Sequence, residues 1–326
     1  MDILINHGIL HIIDNERGQV VLSESELDLD SDMVAEFLTK HIKKIMNSSD
    51  VKEATFEADS SVLATLRKYF AKEIDFKATS WDFCVKLSEI MLENGSIPPA
   101  DLLVTQFEIK GTPHIAIFKL NHSVFYTHEV KGGENHIVQS SFALPLGGAK
   151  VTEAVVIPYD PMVLKIMEKP HNVGGEEINY FSKLFLSAGA SLSKKQAAKV
   201  IKAILEDTVA AYFGKNPIAA AKFQIAMIEE AIENDGEVRL ESVTREAFGE
   251  GEARDEFLAA AREAGLVSDL FLGEKFCAKE FGTAKIKSES GITLQFPVGI
   301  LDDPNVIEFI DREGGFSVNV KDFRKN

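Results

Sequence analysis

The sequence has few cysteines and no long apolar run, and both absences narrow the class of protein. Its two cysteines, Cys84 and Cys277, lie far apart without a CxxC pair. This usage fits buried thiols in a reducing compartment better than a disulfide scaffold. No stretch approaches the roughly 18 apolar residues of a membrane-spanning helix, and the opening MDILINHGIL lacks the charged and apolar regions of a signal peptide. We therefore expect a cytoplasmic protein that contacts no membrane.

Positive charge is also in short supply. Lys and Arg total 35 against 51 Asp and Glu, which gives a formal net charge of -16 at pH 7. A uniform negative field repels phosphates and slows their approach, so any contact with nucleic acid must be local. The acidic excess is concentrated in residues 229–256, which contain eleven acids and three arginines. This acidic stretch is either a solvated helical face or a surface that binds a basic protein partner or repels DNA from that side.

Motifs that carry enzyme chemistry are scarce. Ser191 and Lys194 match the S-x-x-K pattern of penicillin-binding enzymes, but the companion S-D-N and K-T-G elements are missing. A helix cap followed by lysines is therefore the preferred interpretation, and a hydrolase using these two residues is the least favoured alternative. The glycine-rich residues 146–150 lack Walker spacing, and no Cys/His cluster has the spacing of a metal site. We expect no enzymatic activity, no cofactor and no metal.

Length and hydrophobic content indicate a globular protein of two domains. A chain of 326 residues with 45% hydrophobic and 26% charged residues can bury a substantial core. Chain breakers and charges are concentrated in residues 165–179, which places the domain boundary near residue 170. We predict an α+β fold, with a mixed N-terminal domain that contains an antiparallel sheet (residues 1–170). A helical C-terminal domain with a small terminal β hairpin follows (residues 171–326).

Periodicity assigns the elements of both domains. The opening ILINHGILHII and the following QVVL predict two strands joined by a tight turn. Period-two alternation across residues 102–157 predicts an antiparallel meander, and ITLQF, VIEFID and FSVNV predict strands near the end of the chain. Helical periodicity predicts one helix capped by Ser31 and further helices over residues 61–70, 79–92, 178–186, 193–213, 217–233, 242–248 and 253–264.

One lysine-rich segment contrasts with this acidic chain. Residues 178–205, hereafter the basic segment, contain no acid and five lysines: Lys183, Lys194, Lys195, Lys199 and Lys202. Ser193 followed by Gln196 is a capping-box pattern, so a helix should begin at Lys194. Helical geometry then places Lys195, Lys199 and Lys202 on one exposed stripe, with Ala197 and Ile201 on the opposite face.

Lysines at the start of a helix do not serve its stability, because the helix macrodipole disfavours cations in the first turn. Free backbone N–H groups plus lysines form an anion site, and a row of cations suits a phosphate backbone. Two interpretations stay open from these residues alone: phosphate contacts, or a solvated lysine face without a ligand. Lys40, Lys43 and Lys44 are less informative, because the macrodipole favours cations in the C-terminal half of their helix.

Three parts of the chain resemble one known family, in the family's order. The run FSKLFLSAGASLSKKQAAKVIKAILEDTV resembles the FxxFLGASxxLxxKxQ-type segment of the bacterial nucleoid-associated protein family known as NdpA or YejK. The tail FGTAKIKSESGITLQFPVGILDD, with IEFID and FSVNVKD, resembles that family's closing β segment, and INHGILHII is similar to its first strand. This chain departs from the family pattern at one place, where it has Ser187-Ala188-Gly189 instead of Gly-Ala-Ser.

The resemblance implies a two-domain α+β protein that is associated with the nucleoid and binds double-stranded DNA. It identifies no contact residues, so the assignment of phosphate contacts to the five lysines of the basic segment is our own inference. Since no recognition-helix motif is present, we expect little sequence specificity, and we expect a homodimer that presents these lysines twice. The alternative is an acidic adaptor recruited to the nucleoid through protein partners, which the net charge and the acidic stretch support.

Overall fold

A computed structural model of the protein describes residues 2–145, 149, 151–214, 216–287, 290–301, 303, 305–312 and 315–321. The chain divides into two units, Met1–Ser193 and Lys194–Asn326. The α+β prediction is confirmed, since an antiparallel sheet lies in the first unit and helices with small strands form the second. No helix within the described ranges is long and apolar enough to cross a membrane.

The N-terminal unit combines strands with helices that follow the predicted positions closely. Its helices are α1 (Asp32–Met46), α2 (Ser61–Phe70) and α3 (Phe76–Glu93). Its strands are β1 (Ile3–Asp14), β2 (Gln19–Val21), β3 (Lys52–Phe56), β4 (Ala100–Ile109), β5 (Thr112–Asn121), β6 (Ser123–Lys131), β7 (Glu134–Ala143), β8 (Glu153–Pro158), β9 (Leu164–Met167), β10 (His171–Val173), β11 (Glu176–Ile178) and β12 (Ala188–Ala190).

The main sheet is antiparallel and has the strand order β12-β3-β9-β8-β5-β4-β1-β2. Its central strands β4 and β5 are buried on both faces, because helices cover both sides. Leu102 and Val104 point into a core shared with α2 and α3, whereas Leu103 and Phe107 point into a core shared with α1. Alternation of side chains along a strand produces these two cores.

The predicted meander over residues 102–157 is interrupted. β5 pairs with β4 and β8 in the main sheet, whereas β6 and β7 pair with each other in a separate hairpin inserted between β5 and β8. The prediction of one continuous meander was therefore wrong, although each strand lies where alternation placed it. Alternation identifies a strand but does not identify its partner.

The segment predicted as a helix over residues 178–186 folds differently. The chain breakers before it form the β10–β11 hairpin, whose turn holds Gly174 and Gly175 at positive φ. A π-helical turn, Phe181–Leu186, then places Phe181 and Phe185 in the core of the N-terminal unit, and β12 pairs with β3. Because these contacts belong to the first unit, the division between the units falls after Ser193 rather than near residue 170.

The C-terminal unit is built around helices. These are α4 (Lys194–Tyr212), α5 (Pro217–Glu233), α6 (Leu240–Phe248), α7 (Glu252–Glu263) and α8 (Glu274–Phe281). Its strands are β13 (Glu237–Arg239), β14 (Asp269–Phe271), β15 (Thr283–Lys287), β16 (Thr293–Pro297), β17 (Ile307–Arg312) and β18 (Gly315–Val320). The strands pair as β13–β14, β15–β16 and β17–β18, and residues 313 and 314 of the predicted last turn lie outside the described ranges.

Local sequence signals account for several boundaries in this unit. Asn216 caps α5 by accepting a hydrogen bond from the backbone of Ile218, and Pro217 opens the helix. At the end of α7, Gly265 has φ 80° and Leu266 N donates to Ala261 O, which is a Schellman motif. Both cysteines are free and buried, as their usage predicted.

A buried histidine gives the N-terminal unit a predictable response to acid. The backbone N–H of Ser23 donates to His11 Nδ1 at 3.0 Å, so the ring proton is on Nε2 and points to Ser80 Oγ, 3.0 Å away. Trp81 Nε1 donates to Ser23 O at 2.8 Å, which links the only tryptophan of the sequence to the same contacts. Burial lowers the pKa of His11 from 6.5 to about 4, because removal from water disfavours the charged, doubly protonated ring.

We expect acid to destabilise the N-terminal unit as the pH falls from 6.5 to about 4. In this window His11 binds a proton in the unfolded chain but not in the folded chain. The free energy of unfolding therefore falls by at most about 1.4 kcal/mol per pH unit. The measurement is urea unfolding of the full chain, followed by Trp81 fluorescence, for the wild type and His11→Gln. The variant should lose stability less steeply with acid, and parallel pH profiles would contradict this explanation.

Candidate nucleic-acid interface

Helix α4 begins at Lys194, where the capping-box pattern placed it. Its buried face contains Ala197, Ala198, Ile201, Leu205, Thr208 and Val209. Lys195 and Lys199 lie on the other side and are exposed. Residues four apart in an α-helix are neighbours on one face, separated by about 6 Å along the axis. The predicted separation of a buried face from a lysine face is therefore present in α4.

Lys194 and Lys202 contact identified partners inside the C-terminal unit. Lys194 Nζ donates to the backbone oxygen of Leu272 at 3.0 Å and lies 4.4 Å from the ring centroid of Phe271. Lys202 Nζ lies 2.8 Å from Glu280 Oε2, and the side chain of this lysine remains 41% exposed. Lys194 is thus largely committed to packing, and the charge of Lys202 is partly neutralised.

These contacts connect α4 with the segment that contains α8. Lys194 contacts Leu272, just before α8, and Lys202 contacts Glu280 near its end, so side chains of α4 reach both ends of α8. α8 buries Cys277 and Phe281 and exposes Lys275 and Lys279, which are one turn apart. We call Lys195, Lys199, Lys275 and Lys279 the lysine surface.

Lys275 and Lys279 were not among the sequence-predicted contacts. Glu274 and Glu280 lie next to them in the chain, so the segment has no excess of positive charge. The signal that could have identified them is the spacing of four residues, combined with the apolar Cys277 and Phe281 on the opposite face. Neighbouring carboxylates weaken the positive field of this part of the lysine surface.

The fifth predicted lysine, Lys183, belongs to the N-terminal unit. It is exposed and lies in the π-helical turn, whose Phe181 and Phe185 face the core. Lys183 and the lysine surface therefore belong to different units.

A second group of cations lies at the end of α1. Lys40, Lys43 and Lys44 line an open groove of about 530 Å³, together with Asn47, Ser48, Ser49, Asp50 and Met167. Lys40 forms an ion pair with Glu36 at 2.6 Å. The position of these lysines at the helix C-terminus favours the helix itself, so their presence does not require a ligand.

The N-terminal unit buries a group of titratable side chains. His171 Nε2 lies 2.7 Å from Glu153 Oε1, and Lys119 is paired with Glu153 across β5 and β8. Burial lowers the pKa of Lys119 to about 8 and raises that of Tyr180. All four side chains are buried, so these groups stabilise the strands and present no open site. No group of His, Cys, Asp or Glu among the described residues could hold a metal ion.

The S-x-x-K pattern does not form a nucleophile and base. Ser191 Oγ donates to the backbone oxygen of Glu53 at 3.0 Å, whereas Lys194 Nζ donates to that of Leu272. A serine nucleophile must pass its proton to the base through a hydrogen bond. Each side chain is instead engaged with a different backbone oxygen, which favours the interpretation as a helix start.

A comparison with models of known protein families shows which family the chain belongs to. A family model described as "Nucleoid-associated protein YejK" matches residues 9–313. The chain belongs to this family. The match extends through both units, so the resemblance inferred from the basic segment, the tail and the first strand is confirmed. No curated protein matches the chain at a significant level. Membership in the YejK family links the protein to the nucleoid.

Proposed function

We propose that this YejK-family protein binds double-stranded DNA with little sequence specificity, through phosphate contacts made by the lysine surface. The observation that carries the proposal is the exposed pair Lys195 and Lys199, one turn apart on α4 in a unit rich in acids. Lys275 and Lys279 add weaker contacts. Of the other predicted lysines, Lys202 contributes a partly neutralised charge, Lys194 contributes little, and Lys183 supplies a separate contact from the N-terminal unit.

Non-specific binding follows from the kind of contact proposed. Phosphate contacts fix the position of a protein on the duplex but carry no sequence information. The net charge of -16 opposes association, so the affinity should be modest, with a dissociation constant of about 10⁻⁴ to 10⁻⁶ M at physiological salt. Such binding requires no cofactor and no catalysis, and it places the protein on the nucleoid in the cytoplasm.

A mobility-shift titration of the purified full chain with bare duplex tests this proposal at low salt. Two duplexes of unrelated sequence should shift at similar protein concentrations, because the contacts are to phosphates. Absence of a shift with both duplexes would refute direct binding. A large preference for one duplex would refute the phosphate mechanism, because bases would then have to be read.

The adaptor alternative is favoured by one local observation. Partial burial, followed by repulsion from Glu229 and Glu233, raises the pKa of Glu246 above its ordinary value. Carboxylates of α5 and α6 are thus crowded together, in a cluster whose field suits a basic protein partner. This function needs no contact with DNA, so the same titration separates the two: an adaptor gives no shift with bare duplex.

A further inference from the structure

The β6–β7 hairpin is the most exposed regular element of the N-terminal unit. Every residue from Ser123 to Gln139 is exposed, and the hairpin is inserted between β5 and β8, which pair directly with each other. An isolated two-stranded hairpin is marginally stable in water, and usually needs a third strand or a packed face. We therefore expect another protein surface to pack against the hairpin.

One face of this hairpin bears no formal charge and exposes three large apolar side chains. The pairing places Tyr126 opposite Gln139, His128 opposite Ile137, and Val130 opposite Asn135, so these six residues share a side. We call them the neutral face. Tyr126, Val130 and Ile137 are 68%, 62% and 84% exposed. The opposite face carries Glu129, Lys131 and Glu134 beside the less exposed Phe125 and Val138, which are 43% and 36% exposed. Exposed apolar patches rimmed by polar residues mark interaction sites.

We infer that the neutral face is the contact between two copies of this chain, which pack hairpin against hairpin around a two-fold axis. Charge selects the occupant. A nucleic acid requires cations, and a basic partner requires acids, but the neutral face offers neither. Two copies that each carry a charge of -16 repel one another over most of their surfaces, so they meet best where formal charge is absent.

Symmetry and area agree with a second copy as the occupant. A two-fold contact brings the same patch of both copies together, so the apolar side chains of the neutral face can pack against their equivalents in the second copy. The neutral face spans five residues of each strand, or about 17 Å. Full burial of its six side chains would remove at most roughly 600 Å² per copy, or about 1,200 Å² in total, which is the lower limit for a stable interface. The dimer would present the lysine surface twice, although its formation does not depend on DNA binding.

Sedimentation equilibrium of the DNA-free full chain tests the interface. The wild type should sediment at twice the chain mass at micromolar concentration. Ile137→Glu places a charge at the centre of the contact and should raise the dimer dissociation constant by at least about a hundredfold, because a buried unpaired charge is costly. Val138→Glu is the matched control on the opposite face, and should remain dimeric.

Several results would overturn the inference. These are a monomeric wild type at micromolar concentration, a dimeric Ile137→Glu, or equal dissociation of both variants. Since the hairpin is exposed, neither substitution should alter the core, and unchanged Trp81 fluorescence would verify this. The experiment contains no DNA, so its failure leaves the mobility-shift result standing, and the reverse also holds.

Discussion

The double substitution Lys195→Glu/Lys199→Glu should weaken binding to bare duplex DNA on the order of fifty-fold at about 0.1 M salt. Each neutralised phosphate contributes about 0.9 to the slope of log K against log salt, so two lost contacts remove roughly 1.8 decades at this salt concentration. The loss should be the same for unrelated duplexes, because phosphate contacts do not read sequence. Fluorescence anisotropy of a labelled duplex measures it.

The control for this experiment changes the net charge equally at other positions. Lys68 on α2 and Lys222 on α5 are exposed, and neither belongs to the lysine surface. Lys68→Glu/Lys222→Glu should weaken binding only a few-fold, through the general field. Equal losses for the two double variants would show that net charge alone governs binding. Unchanged affinity of Lys195→Glu/Lys199→Glu would move the contact elsewhere, first to the α1 groove at Lys43 and Lys44.

Lys52→Met should destabilise the N-terminal unit by about 3–5 kcal/mol, the range found when one partner of a buried ion pair is removed. Lys52 Nζ lies 3.1 Å from Glu168 Oε1, and the two side chains are only 7% and 0% exposed. Glu168 also accepts hydrogen bonds from the backbone N and the Oγ of Ser182, both at 2.9 Å. This carboxylate joins β3, the end of β9 and the π-helical turn, so loss of its cation affects three elements.

Two further variants distinguish an unpaired charge from lost packing. Lys52→Met/Glu168→Gln should recover most of the stability, because the neutral amide oxygen can still accept from Ser182. Lys169→Met removes an exposed lysine nearby, and should change the free energy of unfolding by less than about 0.5 kcal/mol. Urea unfolding followed by Trp81 fluorescence reports on this unit. A double variant no more stable than Lys52→Met would contradict the role assigned to the pair.

Local signals were sufficient for much of the fold. The α2 and α5 boundaries, the first residue of α4 and the opening strand pair all follow from caps, periodicity and turns. These local signals could not predict contacts between residues that are far apart in the chain. The spacing of Phe181 and Phe185 is helical in pattern, yet burial in the sheet core produced a π-helical turn. Strand alternation could not reveal that β8 pairs with β5, because the hairpin of β6 and β7 lies between these two strands in the sequence.

In the candidate site, the sequence likewise predicted which face of a helix each lysine occupies but not which charges it pairs with. The sequence predicted correctly that Lys195 and Lys199 lie on a face opposite the buried residues of α4. It could not show that Lys202 pairs with Glu280, because these residues are 78 positions apart in the chain. The sequence also gave no sign of the two exposed lysines of α8, because Glu274 and Glu280 cancel their charge in any local count.

The salt dependence of DNA binding tests the lysine surface most directly. The association constants of the wild type and of Lys195→Glu/Lys199→Glu for one bare duplex should be measured across a series of salt concentrations. If both lysines contact phosphates, the slope of log K against log salt should be shallower for the variant by about 1.8. Parallel slopes would contradict the proposed contacts, even if the variant bound more weakly at every salt concentration.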